Sequence, residues 1–146
     1  MLEEVAVLGG VTALDYFRNP DLLVRNKNCS GFDPVTVADV AVEEAMVKAI
    51  KKVREMDTIF GEETGLNSGT GDYTWVLDPI DGTRAFISGV PVWTVLVAIN
   101  DGTKPFLGAI NQPFTKELFI GGFNSCNYYR DGVSANVTTR ECKKLE

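Results

Sequence analysis

The chain has 146 residues, 45% of them hydrophobic and 23% charged, with 20 acidic against 14 basic side chains and a net charge of −6. That is the size and composition of one globular unit with a packed core, and its acidity argues against the basic face that nucleic-acid binding needs. Histidine is absent. This excludes Ser-His-Asp triads, Cys-His pairs, H-E-x-x-H zinc sites and phosphohistidine chemistry, and leaves carboxylates, hydroxyls, lysine or oxygen-bound metals to carry any catalysis.

In chain order, Leu2, Val5, Ala6, Leu8, Leu14 and Phe17 recur at roughly helical spacing and predict a helix over residues 2–17, closed by Asn19-Pro20. Gly9-Gly10 weakens that helix by ~1 kcal/mol per glycine relative to alanine. Residues 22–32 are rich in Asn, Lys, Ser and Gly and read as a loop. Thr36 or Asp33 caps a second helix, in which Ala38, Ala41, Val42, Ala45, Met46, Ala49 and Ile50 make one apolar face. Lys48, Lys51, Lys52 and Arg54 crowd its C-terminal half, where they favour the helix dipole.

After Met56 the pattern changes to that of strands. Thr58-Ile59-Phe60 is a short apolar run ending at Gly61-Glu62-Glu63, residues 66–72 form a loop, and residues 73–77 read as a buried strand that stops at Asp78-Pro79. The β-branched run over residues 92–99 predicts a central strand covered on both faces. Residues 104–111 and 117–122 read as further strands joined by the turn Gln112-Pro113-Phe114-Thr115, and turn and strand fragments follow Asn124. Two helices followed mainly by strands at hairpin spacing predict an α+β fold, the helices packed on a mainly antiparallel sheet.

The longest uncharged stretch, residues 85–100, is broken by Gly89 and Pro91 and falls short of the ~20 residues of a membrane-spanning helix. Glu3 and Glu4 stand where a signal peptide is basic. Cys29, Cys126 and Cys142 are an odd, widely spaced set, so a cytoplasmic location with reduced thiols is the expectation.

Three segments set acids at the ends of apolar runs: Asp33 to Asp39 (D-P-V-T-V-A-D), Gly61-Glu62-Glu63, and Asp78-Pro79-Ile80-Asp81-Gly82-Thr83. A tight turn over the last of these brings its ends within ~7 Å, aiming the carboxylates of Asp78 and Asp81 and the carbonyl of Ile80 at one point. Gly82 permits close approach of a ligand to the backbone, and Thr83 adds a hydroxyl. Taken alone, each segment is ordinary turn, cap or surface chemistry. Together they are costly without a counter-ion. At an effective dielectric of ~20, carboxylates within ~4 Å repel by ~4 kcal/mol per pair, and Arg84 is the one basic residue close by in sequence. A hard cation with oxygen ligands, Mg²⁺ or Mn²⁺, relieves that repulsion.

The strings D-P-V-T-V-A-D, G-E-E and W-V-L-D-P-I-D-G-T, in this order, resemble the inositol monophosphatase family of Mg²⁺-dependent phosphomonoesterases. D-G-T-R-A-F-I-S-G-V-P-V-W with L-G-A-I-N-Q-P-F-T is more similar to its histidinol-phosphate phosphatase branch than to the inositol branch. The resemblance implies the N-terminal half of the layered αβαβα sugar-phosphatase fold. It implies that Glu62, Asp78 and the carbonyl of Ile80 hold one cation, with Asp78 and Asp81 holding a second. Asp39 and Thr83 would orient and deprotonate water, with Glu63 a supporting carboxylate, while Gly82, Thr83 and Arg84 would meet the phosphate. Lys27 would match the family's lysine.

The expected substrate is a small phosphorylated metabolite, histidinol phosphate-like or, alternatively, inositol monophosphate. The family continues into a second α/β half carrying a W-D-x-A-A-type segment, whereas Trp75 and Trp93 are followed here by Val and Thr. Residues 1–146 are therefore expected to be the metal-binding half without its partner half, with impaired turnover and with homodimer formation or self-association through an uncovered surface. The competing expectation is a non-catalytic assembly or binding module.

Overall fold

The computed structural model describes residues 1–26 and 34–141. Lys27, Cys29, Asp33 and Cys142, singled out in the sequence, lie outside the described residues. The chain opens with helix α1 (Leu2–Leu14), then strands β1 (Val24–Asn26) and β2 (Pro34–Thr36), helix α2 (Val37–Val53), β3 (Thr58–Gly61), β4 (Gly65–Asn67) and β5 (Thr74–Asp81). A short helix α3 (Thr83–Ile87) precedes β6 (Thr94–Asn100), β7 (Pro105–Gln112), β8 (Glu117–Gly122), β9 (Ser125–Arg130) and β10 (Val133–Asn136). The eight-stranded sheet has the order β10-β9-β8-β7-β6-β5-β3-β4, while β1 and β2 form a separate antiparallel pair. All neighbours in the large sheet are antiparallel except β3 and β5, which run parallel. The expected α+β architecture is present, and no described helix is long and apolar enough to cross a membrane.

α1 and α2 pack on each other and on one face of the sheet. Gly9 and Gly10 are what make that approach close. A Cβ at Gly9 would stand 2.8 Å from Met46 Sδ on α2 and 2.9 Å from Val95 Cγ1 on β6, and one at Gly10 would overlap the Asn111 side chain on β7. The glycines cost helix propensity, but they let Asn111 Nδ2 reach the Ala6 carbonyl at 2.8 Å and stitch helix to sheet. Regular helix ends at Leu14, short of the expected Phe17, which sits in a following turn. From there its ring meets Phe86 of α3, Trp93 and Phe114 at centroid distances of 5.3–5.4 Å, so the end of α1 buttresses α3.

Several expectations are corrected. The loop expected over residues 22–32 includes β1, and the one over 66–72 begins with β4 residues. The strand expected to stop at Asp78 runs on to Asp81, and α3 has no counterpart among the expected elements. β6 is central but not covered on both faces: Val95, Val97 and Ile99 are buried against the helices, while Leu96 and Ala98 are half-buried on the other side. That second face carries an open apolar trough of about 470 Å³, lined among others by Val76, Leu96, Ile110, Phe119 and Cys126. The β-branched run reflects a sheet apolar on both faces, of which α1 and α2 cover one.

Candidate functional site

Parallel neighbours finish at the same edge of a sheet, and this fixes where the acids meet. Gly61 at the end of β3 pairs with Leu77 of β5, and the next backbone bond runs from the Glu62 N–H to the Leu77 carbonyl at 3.2 Å. Residues 62 and 78 thus follow the last rung of the parallel ladder side by side, Asp78 still within β5, close to the carboxyl-end edge where ligands of such strands commonly bind.

Asp78-Pro79-Ile80-Asp81 is not the tight turn the sequence predicted. Asp78 pairs with Leu96 and Asp81 with Thr94, so three steps along β5 oppose two along β6. This is a bulge, a setting that tolerates proline and re-aims side chains. The chain turns one residue later, where Gly82 adopts φ +90° and caps α3. A Cβ there would be 3.0 Å from the Val92 carbonyl, so glycine is required by torsion and by space alike. Thr83 donates its hydroxyl to the Ile80 carbonyl at 3.1 Å, tying the expected hydroxyl to the expected carbonyl ligand.

Asp78 is the centre of the arrangement. Burial first, then the charge of Glu62 and a hydrogen bond with it, then the charges of Asp81 and Asp39, push its carboxyl up to about 7. Its Oδ1 is buried with no hydrogen-bond partner among the described residues. A buried orphan acceptor amid acids is an unfavourable arrangement that a cation would relieve. The donor set, carboxylates and a backbone carbonyl, is the kind hard divalent ions take, and on these grounds the residues present fit such an ion. Among the described residues, however, no three acidic or thiol side chains stand close enough to enclose one. The expected three-way convergence is realised as one direct pair, Glu62 with Asp78, and Asp81 is exposed.

The other predicted residues are placed as follows. Asp39 is 2% exposed, and its Oδ2 accepts from the Thr36 N–H at 2.7 Å and the Thr36 hydroxyl at 2.6 Å, closing a capping box at the head of α2. It is more than a dipole-favoured surface acid, for it is buried and its charge is among those that raise the Asp78 carboxyl. Glu63 lines an adjoining groove with Arg25, Thr36 and Glu44. Arg84 is exposed on α3.

One acid absent from the sequence reading is Glu43, fully buried on α2. It accepts the N–H groups of Glu63 (2.9 Å) and Thr64 (2.7 Å) and the Thr64 hydroxyl (2.6 Å). The signal was available: positions 39, 43, 46 and 50 form one stripe at helical spacing, and Glu43 stands on it beside Met46 and Ile50, which are buried.

The pattern of the inositol monophosphatase family matches residues 2–143. The chain is 41% identical over 143 residues to the bifunctional phosphatase IMPL2 of Arabidopsis thaliana, covering 97% of this chain and 40% of that protein. It is 39% identical over 104 residues to a histidinol-phosphatase of Streptomyces coelicolor, covering 68% of this chain and 38% of that one. Its fold superposes on the extragenic suppressor protein suhB of Bartonella henselae with a TM-score of 0.79 at 26% identity, over 88% of this chain and 50% of the other. The chain thus spans half or less of the length of these relatives.

Proposed function

The chain belongs to the inositol monophosphatase family, and from that premise we propose that its acidic corner serves Mg²⁺-dependent hydrolysis of a small alkyl phosphate monoester, histidinol phosphate-like. The observation that carries the reading is the Glu62–Asp78 contact just past the last rung of the parallel β3–β5 ladder, with an orphaned buried oxygen on Asp78. Glu62, Asp78 and the Ile80 carbonyl would hold one cation, and Asp78 with Asp81 a second; Mn²⁺ has the same ligand preferences. Bound there, a divalent cation supplies Lewis-acid stabilisation of phosphoryl charge and lowers the pKa of water.

The remaining work falls to the chain's own groups. Thr83, anchored on the Ile80 carbonyl, orients the attacking water, and the nearby charge of Asp39 draws off its proton, with Glu63 supporting behind. The first N–H groups of α3, at Gly82, Thr83 and Arg84, cannot be used by the helix ladder and cradle the phosphate oxygens. Residues 1–146 act in this reading as the metal-binding half of the family fold.

The histidinol phosphate preference is supported by the relative named histidinol-phosphatase and by the D-G-T-R-A-F string; inositol monophosphate is the alternative. Release of inorganic phosphate from both esters, with and without Mg²⁺, tests the proposal. The expected result is slow Mg²⁺-dependent release, in keeping with the impaired turnover expected of residues 1–146, favouring histidinol phosphate and abolished by Asp78→Asn; release that persists in Asp78→Asn contradicts it. A second reading, a non-catalytic assembly or binding module that pairs with its own kind, draws on the open apolar trough across β6, β7 and β8. Under that reading Asp81→Asn leaves self-association by sedimentation intact, whereas under the first it abolishes Mg²⁺ binding.

A further inference from the structure

Glu43 is wholly buried on α2, and none of the roles above employs it. Burying a carboxylate costs several kcal/mol unless donors replace its water. Here the donors come from one short turn: Glu63 N–H to Oε2, and Thr64 N–H and hydroxyl to Oε1. The residue just before that turn is Glu62, whose own N–H is fixed to Leu77 of β5. Glu62 is therefore held on both sides, by the sheet ladder on one and by Glu43 on the other, and its side chain meets Asp78. A Cβ on Gly61 would overlap the Glu43 carboxylate, so the β3 end carries no side chain that could wedge helix and turn apart. A leucine or methionine at position 43 would fill the core without the desolvation cost, yet would leave the Glu63 and Thr64 N–H groups unanswered.

We infer that Glu43 is a positioning residue: by gripping the 61–64 turn it sets Glu62 against Asp78, and so sets the affinity of the corner for a hard divalent cation. The inference rests on reading that corner as a cation site. Asp39, one helical turn earlier on α2, holds Thr36 in the same manner, so the helix that continues the first acidic segment also grips the second.

The test uses this chain with Mn²⁺ as the probe. Glu43→Gln keeps the shape of the side chain but turns one acceptor into a donor facing backbone N–H groups. The expected result is at least a tenfold loss of Mn²⁺ affinity by paramagnetic relaxation titration, within the ~10–100-fold range for groups that hold ligands in place. Nuclear Overhauser contacts between the Glu62 and Asp78 side chains in the metal-free protein should vanish, and the Glu63 and Thr64 amides should exchange faster. Thr64→Val, which removes only the hydroxyl donor, should act in the same direction by about two- to threefold, and it decides the matter should Glu43→Gln not fold.

Ile50→Val, on the same helix face, loses stability through packing and should leave both affinity and the Glu62–Asp78 contacts unchanged. Retention of those contacts and of Mn²⁺ affinity in Glu43→Gln overturns the inference, as does an equal loss in Ile50→Val. A wild-type chain that binds no Mn²⁺ sinks the cation reading, and the metal-free Overhauser contacts then still decide whether Glu43 directs Glu62.

Discussion

The parallel pair β3 and β5 has a carboxylate near each end, and the two have opposite surroundings. Asp57, just before β3, is 2% exposed. It receives Arg54 Nε at 2.8 Å, Arg54 Nη2 at 3.1 Å and the Trp75 indole N–H at 3.0 Å. Burial pulls its carboxyl up, but the bonds from Arg54 and Trp75 outweigh this and hold it below the usual range. Asp78, toward the other end of β5, is pushed up to about 7 by burial and by acids rather than donors. One residue type on one pair of strands thus does two jobs. Where the chain supplies the counter-charge the carboxylate fastens structure, and where it withholds it the carboxylate is left to take a ligand.

The sharpest way to break this contrast is to remove each carboxylate in turn. Asp57→Ala strands the Trp75 indole and the Arg54 guanidinium, and should cost about 3 kcal/mol in urea unfolding. The 40% exposure of Arg54 holds the loss below that of a fully buried pair. The next largest effect is on pH dependence. The Asp57 contribution is present above its unfolded value of about 4 and is lost as pH falls through its lower folded value. The Asp78 contribution has the opposite sense: fully present below about pH 4, it is lost as pH rises through about 7. Urea midpoints measured across pH should therefore fall at both ends, with Asp57→Asn removing the acid limb and Asp78→Asn the limb toward neutrality.

Smaller still, Trp75→Phe should cost about 1 kcal/mol by deleting one donor to Asp57, read from the same unfolding curves. The smallest effect has the opposite sign. In metal-free solution near neutral pH, Asp78→Asn should leave stability unchanged or raise it by up to about 1 kcal/mol, since it relieves repulsion with Glu62. A loss of several kcal/mol would place Asp78 in the same class as Asp57.

Much of this was legible in the residues. The Thr36 cap, the apolar stripe of α2 and the central place of β6 follow from local propensity and periodicity, which tertiary packing here reinforces. The acids at 39, 62, 78 and 81 stand out because their segments lie at the ends of apolar runs. What could not be read was decided by pairing across distance. Asp-Pro and Asp-Gly are turn formers locally, yet pairing with Leu96 and Thr94 of β6 draws the segment into a bulged strand. β1 and β4 are three residues each and exist because β2 and β3 offer them partners. Glu43 sits among Glu44, Lys48, Lys51 and Lys52 in a helix that looks charged, and only its place on the Met46–Ile50 stripe marks it as interior.

The central claim is that Asp78 is the hub of a cation site, and Mg²⁺-dependent thermal unfolding of the wild-type chain and of Asp78→Asn tests it most directly. A ligand at one hundred times its Kd adds about 2.7 kcal/mol to the stability of the fold it binds. The account predicts that Mg²⁺ raises the wild-type melting temperature saturably and leaves Asp78→Asn where it was. An equal rise in both proteins, or none in the wild type, contradicts it.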